Sequence, residues 1–229
     1  MNYAHYSQVA ELFDFPAPGF APRGRALLNA LRDGYPDAAL EVEQFLDAIP
    51  ERTLDLQELH TRTFDVQSLT TLDTGYVLFG DDYKRGALLS NLNQEHNRAE
   101  NDCRGELADH LPNLLRLIPK LKDQDLLGEL VREILVPALM LMIREFDPER
   151  IAKKNASYQK HYKTLIDPAP GSDLTIYSRT LKALMHVLAK DFQVTETMTR
   201  LSDLDLRPQT VDFLALVESY GITWHEKSR

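Results

Sequence analysis

The sequence predicts an all-α protein, a single-domain bundle of about eight or nine helices. Three observations carry that reading. Apolar residues recur three and four positions apart along most of the chain, as in Leu174, Tyr177, Leu181, Leu184 and Leu188. Proline, glycine and aspartate fall where these runs start and stop. No stretch alternates apolar and polar residues for long enough to make a strand.

The elements follow in order. Tyr6, Val9, Leu12 and Phe13 place a helix over 3–14, stopped by Phe15-Pro16-Ala17-Pro18-Gly19. A second covers 22–33, with Pro22 in its first turn and Gly34 after its end. Pro36 and Asp37 open a third over 36–48, and Pro50 closes it. A fourth covers 51–64. Residues 65–80 read as a long loop, because Ser68, Thr70, Thr71, Asp73, Thr74 and Gly75 favour side-chain-to-backbone bonds over helix. Loops of this length in compact domains are functional or flexible.

Asp81 and Asp82 are candidate caps for a helix over 82–101, whose second half is polar and is expected to be solvated. The next helix is expected over 106–121, with Asp109 as N-cap and Pro112 in the first turn. Asp123 caps a helix over 124–146, which Pro137 should kink or shift locally. Its Leu- and Met-rich stretch from Leu135 to Met142 suits a core or an adaptable groove. Further helices are expected over 148–165 and from Ser172 or Asp173 to 192. Residues 1–195 form the predicted domain. Residues 196–229 form an extension in which Val211, Phe213, Leu214, Leu216 and Val217 fit one short helix.

Composition narrows the function. The chain has 229 residues, enough to bury a substantial core, and a formal net charge of −9 that disfavours nucleic acid as a partner. One cysteine, Cys103, leaves no internal disulfide and no multi-cysteine metal site, which fits a reducing compartment. The start Met1-Asn2-Tyr3-Ala4-His5-Tyr6 lacks the basic and apolar order of a signal peptide. Ile134 to Ile143 is about half a membrane span. A cytoplasmic protein with no direct membrane insertion is expected.

Several sites of chemistry fail on their residues. Cys103 lies among Glu100, Asp102 and Glu106, and nearby carboxylates raise a thiol pKa instead of making a nucleophile. Glu95, His96 and Glu100 lack the further nitrogen or sulfur ligand that zinc wants. In Gly80-Asp81-Asp82-Tyr83-Lys84-Arg85-Gly86 the lysine precedes the second glycine and two aspartates would repel phosphate, so this is no phosphate loop. Asp109 and His110 read either as an acid–base pair or as a capping aspartate followed by a packed histidine. A helical hydrolase-type enzyme using Asp109 and His110, and an acidic regulatory adaptor, are therefore the alternatives to a binding protein.

One resemblance adds to this. Glu58-Leu59-His60-Thr61-Arg62-Thr63-Phe64-Asp65, then Leu78-Phe79-Gly80 and Tyr83-Lys84-Arg85-Gly86, then Glu106-Leu107-Ala108-Asp109-His110-Leu111-Pro112, follow one another as in NarJ-type chaperones. The chain resembles the wider NarJ/TorD/DmsD family of redox-enzyme maturation proteins over about residues 1–195, most specifically in Thr63-Phe64-Asp65 and Asp109-His110-Leu111-Pro112. It departs from the NarJ pattern at Gly80-Asp81-Asp82, where those proteins carry a longer, histidine-containing acidic stretch.

The resemblance implies a non-catalytic role without a permanent cofactor. The partner would be the N-terminal segment of the apo catalytic subunit of a molybdoenzyme such as nitrate reductase, kept competent for molybdenum cofactor insertion. Proteins of molybdenum cofactor synthesis would be further partners. It implies a client-binding surface drawn from Phe64, Asp65, Tyr76, Phe79, Asp81, Asp82, Arg85, Asp109, His110, Leu111, Pro112 and Leu115. Asp65, Asp81, Asp82 and Asp109 are expected on a charged rim. Tyr76, Phe79, Leu111 and Leu115 are expected in apolar pockets, and Arg85 is expected to pair with a carboxylate and fix the loop. An acidic helical groove would suit a basic, amphipathic client.

Overall fold

A computed structural model describes residues 3–162 and 173–194, and their regular elements are helices, with no strand among them. Eleven α-helices lie among the described residues: α1 His5–Ala10, α2 Phe20–Leu31, α3 Pro36–Ala48, α4 Thr53–Phe64, α5 Thr74–Phe79, α6 Tyr83–Arg98, α7 Leu111–Leu117, α8 Gln124–Glu129, α9 Val136–Arg144, α10 Pro148–Tyr162 and α11 Tyr177–Phe192. The domain limit at 195 and the short helix expected near 211–217 lie outside the described residues.

Helix α11 is the centre of the bundle. Its Tyr177, Leu181, Leu184 and Leu188 are buried, and it packs on α3 and α9. Around Tyr177 sit the rings of Phe45 from α3 and of His60 and Phe64 from α4, with centroids 5.2, 5.6 and 5.1 Å away. Tilted and edge-on aromatic contacts of this kind add to the stability that burial supplies. At the far end of α11, Asp191 accepts from Tyr35 Oη at 2.7 Å and pairs with His5 Nε2 at 2.9 Å, tying α1 and the start of α3 to its last turn. Helix α7 lies on α1, and α5 on α9. No helix among the described residues is long and apolar enough to cross a membrane.

Capping explains several boundaries. Asp82 accepts the Lys84 N–H at the start of α6, and Asp123 accepts those of Asp125 and Leu126 at the start of α8. Between α8 and α9 the helix is shifted locally, ahead of Pro137. Leu130–Leu135 form a wider π turn, and the Val136 N–H reaches back to Val131 O. Proline lacks the N–H for an α-helical bond and crowds the carbonyl four residues before it. A π turn just ahead of Pro137 relieves that crowding and lets the apolar helix continue. Val136, Leu139 and Met142 along it are fully buried, so the Leu- and Met-rich stretch is core.

Two boundaries differ from expectation. The predicted 65–80 loop contains helix α5, and the helix predicted from 106 begins only at Leu111. Residues 72–74 and 109–111 run side by side instead. Leu111 N–H donates to Leu72 O at 2.8 Å and Thr74 N–H to Asp109 O at 3.0 Å, a single antiparallel bridge between Asp73 and His110. That pairing fixes the backbone of Asp109, which the local sequence pattern had assigned to a helix.

Candidate functional site

The bridge draws three separated segments together. Thr74 adds a side-chain bond, its Oγ1 donating to Asp109 O at 2.8 Å. Asp109 is 0% exposed, and a carboxylate that deep requires a partner. Arg85 supplies it: Nε lies 2.9 Å from Asp109 Oδ2, and Nη2 bonds Asp73 Oδ2 at 3.0 Å. One guanidinium thus spans the start of α5, the first turns of α6 and the segment before α7. Its fork geometry suits two carboxylates, which a lysine point charge would serve less well. The guanidinium also stacks over the Tyr76 ring, 5.3 Å from its centroid.

Asp73 serves a second partner. Its Oδ1 lies 3.0 Å from His110 Nδ1. That bond, helped by the charges of His110 and Arg85, holds the Asp73 carboxyl below its usual pKa despite partial burial. Burial works against the Arg85 charge, but Asp109 and Asp73 outweigh it and raise the pKa. Asp109 and His110 do not form the acid–base pair considered from sequence. Asp109 faces Arg85, and the carboxylate on His110 is Asp73. Nor is Asp109 an N-cap: His110 holds that position at α7, with no side-chain cap bond.

Gly75 makes the close packing of α5 feasible. A Cβ there would stand 2.6 Å from Asp109 Oδ2 and 3.0 Å from Leu88 Cδ2. At the end of α5, Gly80 has φ +59°, a region that favours glycine, and its N–H donates to Tyr76 O at 2.8 Å. This lets α6 start after only Gly80, Asp81 and Asp82.

A second buried network braces the other side. His96, expected to be solvated, is 2% exposed. Its Nε2 bonds Ala108 O at 3.0 Å, while its Nδ1 faces Asn101 Nδ2 at 2.9 Å. Asn101 Nδ2 also donates to Asn113 O, and Asn113 Nδ2 donates to Cys103 O and Leu107 O. Because the Asn101 amide donates to Nδ1, the ring is the neutral tautomer with its proton on Nε2. Burial lowers the His96 pKa, in agreement with that arrangement. Cys103 hangs on this loop, and burial, then Asp102, raises its thiol pKa. Among the described residues no three His, Cys, Asp or Glu side chains converge as metal ligands would.

The predicted site residues therefore separate into two sets. Phe64, Leu111, Pro112 and Leu115 are buried in the core instead of lining open pockets, and Asp109 is buried beneath Arg85 instead of lying on a rim. Phe79 is partly buried and packs against that core. His110 and Arg85 are half-hidden in the ion cluster. Tyr76, Asp81 and Asp82 are exposed at the α5–α6 corner, and Asp65 is exposed at the end of α4. Sequence reasoning missed Tyr83, whose ring is 80% exposed at the same corner, and the binding role of Asp73 within the cluster. Tyr83 stood in plain view beside Asp82. Asp73 carries no local signal, because its partners lie 12 and 37 residues away.

Fold and site together define a helical domain with an aromatic and acidic corner, held from behind by a buried ion cluster. No protein-family model matches the chain, and no curated protein matches it.

Proposed function

We propose that this protein is a peptide-binding assembly chaperone of the NarJ/TorD/DmsD type. Its client would be the N-terminal segment of the apo catalytic subunit of a nitrate-reductase-like molybdoenzyme. Binding would keep that subunit competent for cofactor insertion, in the cytoplasm, before membrane assembly or export. The observation that supports this most is the α5–α6 corner, where Tyr76 and Tyr83 are 44% and 80% exposed beside the exposed Asp81 and Asp82. Exposed aromatic rings beside two exposed carboxylates suit an amphipathic, basic segment. Family resemblance around Thr63-Phe64-Asp65 and Asp109-His110-Leu111-Pro112 supplies the client class.

Calorimetric titration with synthetic N-terminal segments of molybdoenzyme catalytic subunits tests the reading. Binding is expected. The double variant Tyr83→Ala/Asp81→Lys is expected to lower affinity at least about tenfold, roughly 1.4 kcal/mol, with an unchanged thermal midpoint. Absence of binding to every such segment, with unchanged molybdoenzyme activity in a deletion strain, would overturn it.

A further inference from the structure

Helix α10 is fastened to the bundle more lightly than α11 or α7. None of the side chains described over 148–160 is buried. The partly covered ones, Arg150, Ile151, Lys154, Asn155 and Tyr158, recur three and four positions apart and form one face, and the rest are exposed. Ile151 packs against the edge of the core. Lys154 Nζ donates to Leu69 O and lies 3.6 Å from Glu145 Oε2. Tyr158 Oη donates to Ser68 O at 3.3 Å, and Arg150 Nε to Glu145 Oε1 at 3.0 Å. A helix of 15 residues is marginal in water on its own, so contacts of this kind hold it in place.

The ground beneath α10 has a definite chemistry. Leu69 O and the Glu145 carboxylate present acceptors to a cation, and Ser68 O presents one to a hydroxyl a turn further along. Burial, only partly offset by Glu145, lowers the Lys154 pKa, so the cation sits where water is thinned. In a chain of net charge −9, α10 itself is basic: Arg150, Lys153, Lys154 and Lys160 stand against Glu149. Helices that dock in grooves anchor through positions spaced as Ile151, Lys154, Asn155 and Tyr158 are.

We propose that α10 is the built-in occupant of a docking seat formed by Ser68, Leu69 and Glu145, and that a partner helix displaces it. The partner is a basic amphipathic segment with an aliphatic residue, a cation three positions on and a tyrosine four beyond that. Tethered to its seat, α10 competes at an effective concentration on the order of 1 mM, so a partner must bind better than α10 does. The seat stands on the contacts of α10 alone. That its partner is the client rests on the proposed function; the seat would then be a contact for that client besides the α5–α6 corner, opened when α10 leaves.

The test uses the full chain and a labelled synthetic peptide of residues 148–162. Lys154→Glu/Tyr158→Ala sets a carboxylate against Leu69 O and Glu145 and removes the bond to Ser68. Lys154→Met/Tyr158→Phe is the milder form, kept in case the first variant fails to fold. In both, amide exchange in α10 is expected to quicken at least about tenfold while that of α11 is unchanged. The peptide should bind the Lys154→Glu/Tyr158→Ala chain at least about tenfold more tightly than the unaltered chain, whose own α10 competes. A peptide carrying the same two substitutions should not bind. Amides of α10 that exchange no faster in either variant overturn the proposal, as does equal binding of the two peptides or of the two chains. N-terminal segments of molybdoenzyme catalytic subunits should displace the labelled peptide. If the 148–162 peptide binds as described and no such segment binds the chain at all, the seat stands and the chaperone reading falls.

Discussion

Replacing Asp109 by asparagine removes one charge from the ion cluster while keeping the shape. Asp109 is fully buried, and its Oδ2 receives Arg85 Nε at 2.9 Å. In the variant, an amide that brings donors of its own meets the donors of the guanidinium. Removing one partner of a buried ion pair costs about 3–5 kcal/mol when the other charge is left alone. Arg85 is not left alone, because Asp73 remains at 3.0 Å and Tyr76 lies under the guanidinium. The expected loss therefore falls just below that range, about 2–3 kcal/mol. With a urea dependence on the order of 2 kcal/mol per molar, the unfolding midpoint should fall by about 1 M. Arg85→Met should cost a similar amount, since it leaves Asp109 buried without a counter-charge. The double variant Arg85→Met/Asp109→Leu should cost well under the sum, because replacing both charges leaves no orphan. A single Asp109→Asn loss below about 0.5 kcal/mol, or strict additivity in the cycle, would refute the claim that this pair holds the segments together.

Two further outcomes follow from the same packing. Gly75→Ala should destabilise by about 1–3 kcal/mol in urea titration, because the new methyl meets Asp109 Oδ2 and Leu88; Gly86→Ala, with open space at its Cβ, should cost no stability. Burial lowers the pKa of His60 and His96 in the folded chain. Both bind protons more readily when unfolded, so stability should be full above about pH 6.5 and fall as pH drops below it toward the folded pKa values. His96→Gln should remove part of that slope in unfolding measured from pH 8 to 5, and an unchanged slope would contradict a neutral, buried His96.

Much of the fold was legible because the punctuation is local. Asp82, Asp123, Pro36 and Pro148 sit at helix starts that each can define within a turn of chain. Helix α5 was not legible for the opposite reason. Six residues beginning Thr74-Gly75 have little tendency to be helical, and they form a helix where α9 packs on them and Thr74 bonds Asp109 O. Asp109 misled for a related reason: Asp before Leu-Pro is a good cap pattern, but Arg85, 24 residues earlier, is the stronger partner. His96 looked solvated because its neighbours are polar, and one of those polar side chains, Asn101, bonds its ring and joins it to the Asn113 backbone. The resemblance thus drew on Phe64, Asp109, Leu111 and Pro112, residues that the structure buries.

That division between buried and exposed residues bears on how such a corner could bind. A surface that must order itself on binding loses about 0.5–1.5 kcal/mol per immobilised side chain. Here the backbone beneath the corner is already fixed. Arg85 ties α6 to the segments on either side of the bridge, Gly80 sets the turn, and Asp82 caps α6. Tyr76 is held by the same guanidinium that neutralises Asp109. Buried Asp109 and half-hidden His110 would then matter to a client without touching it, by keeping Tyr76, Asp81 and Tyr83 in one arrangement. Substitutions in the two sets should differ in kind: buried ones lower stability and affinity together, and exposed ones lower affinity alone. A motif can mark a binding region through residues that hold the surface in place as much as through residues that form it.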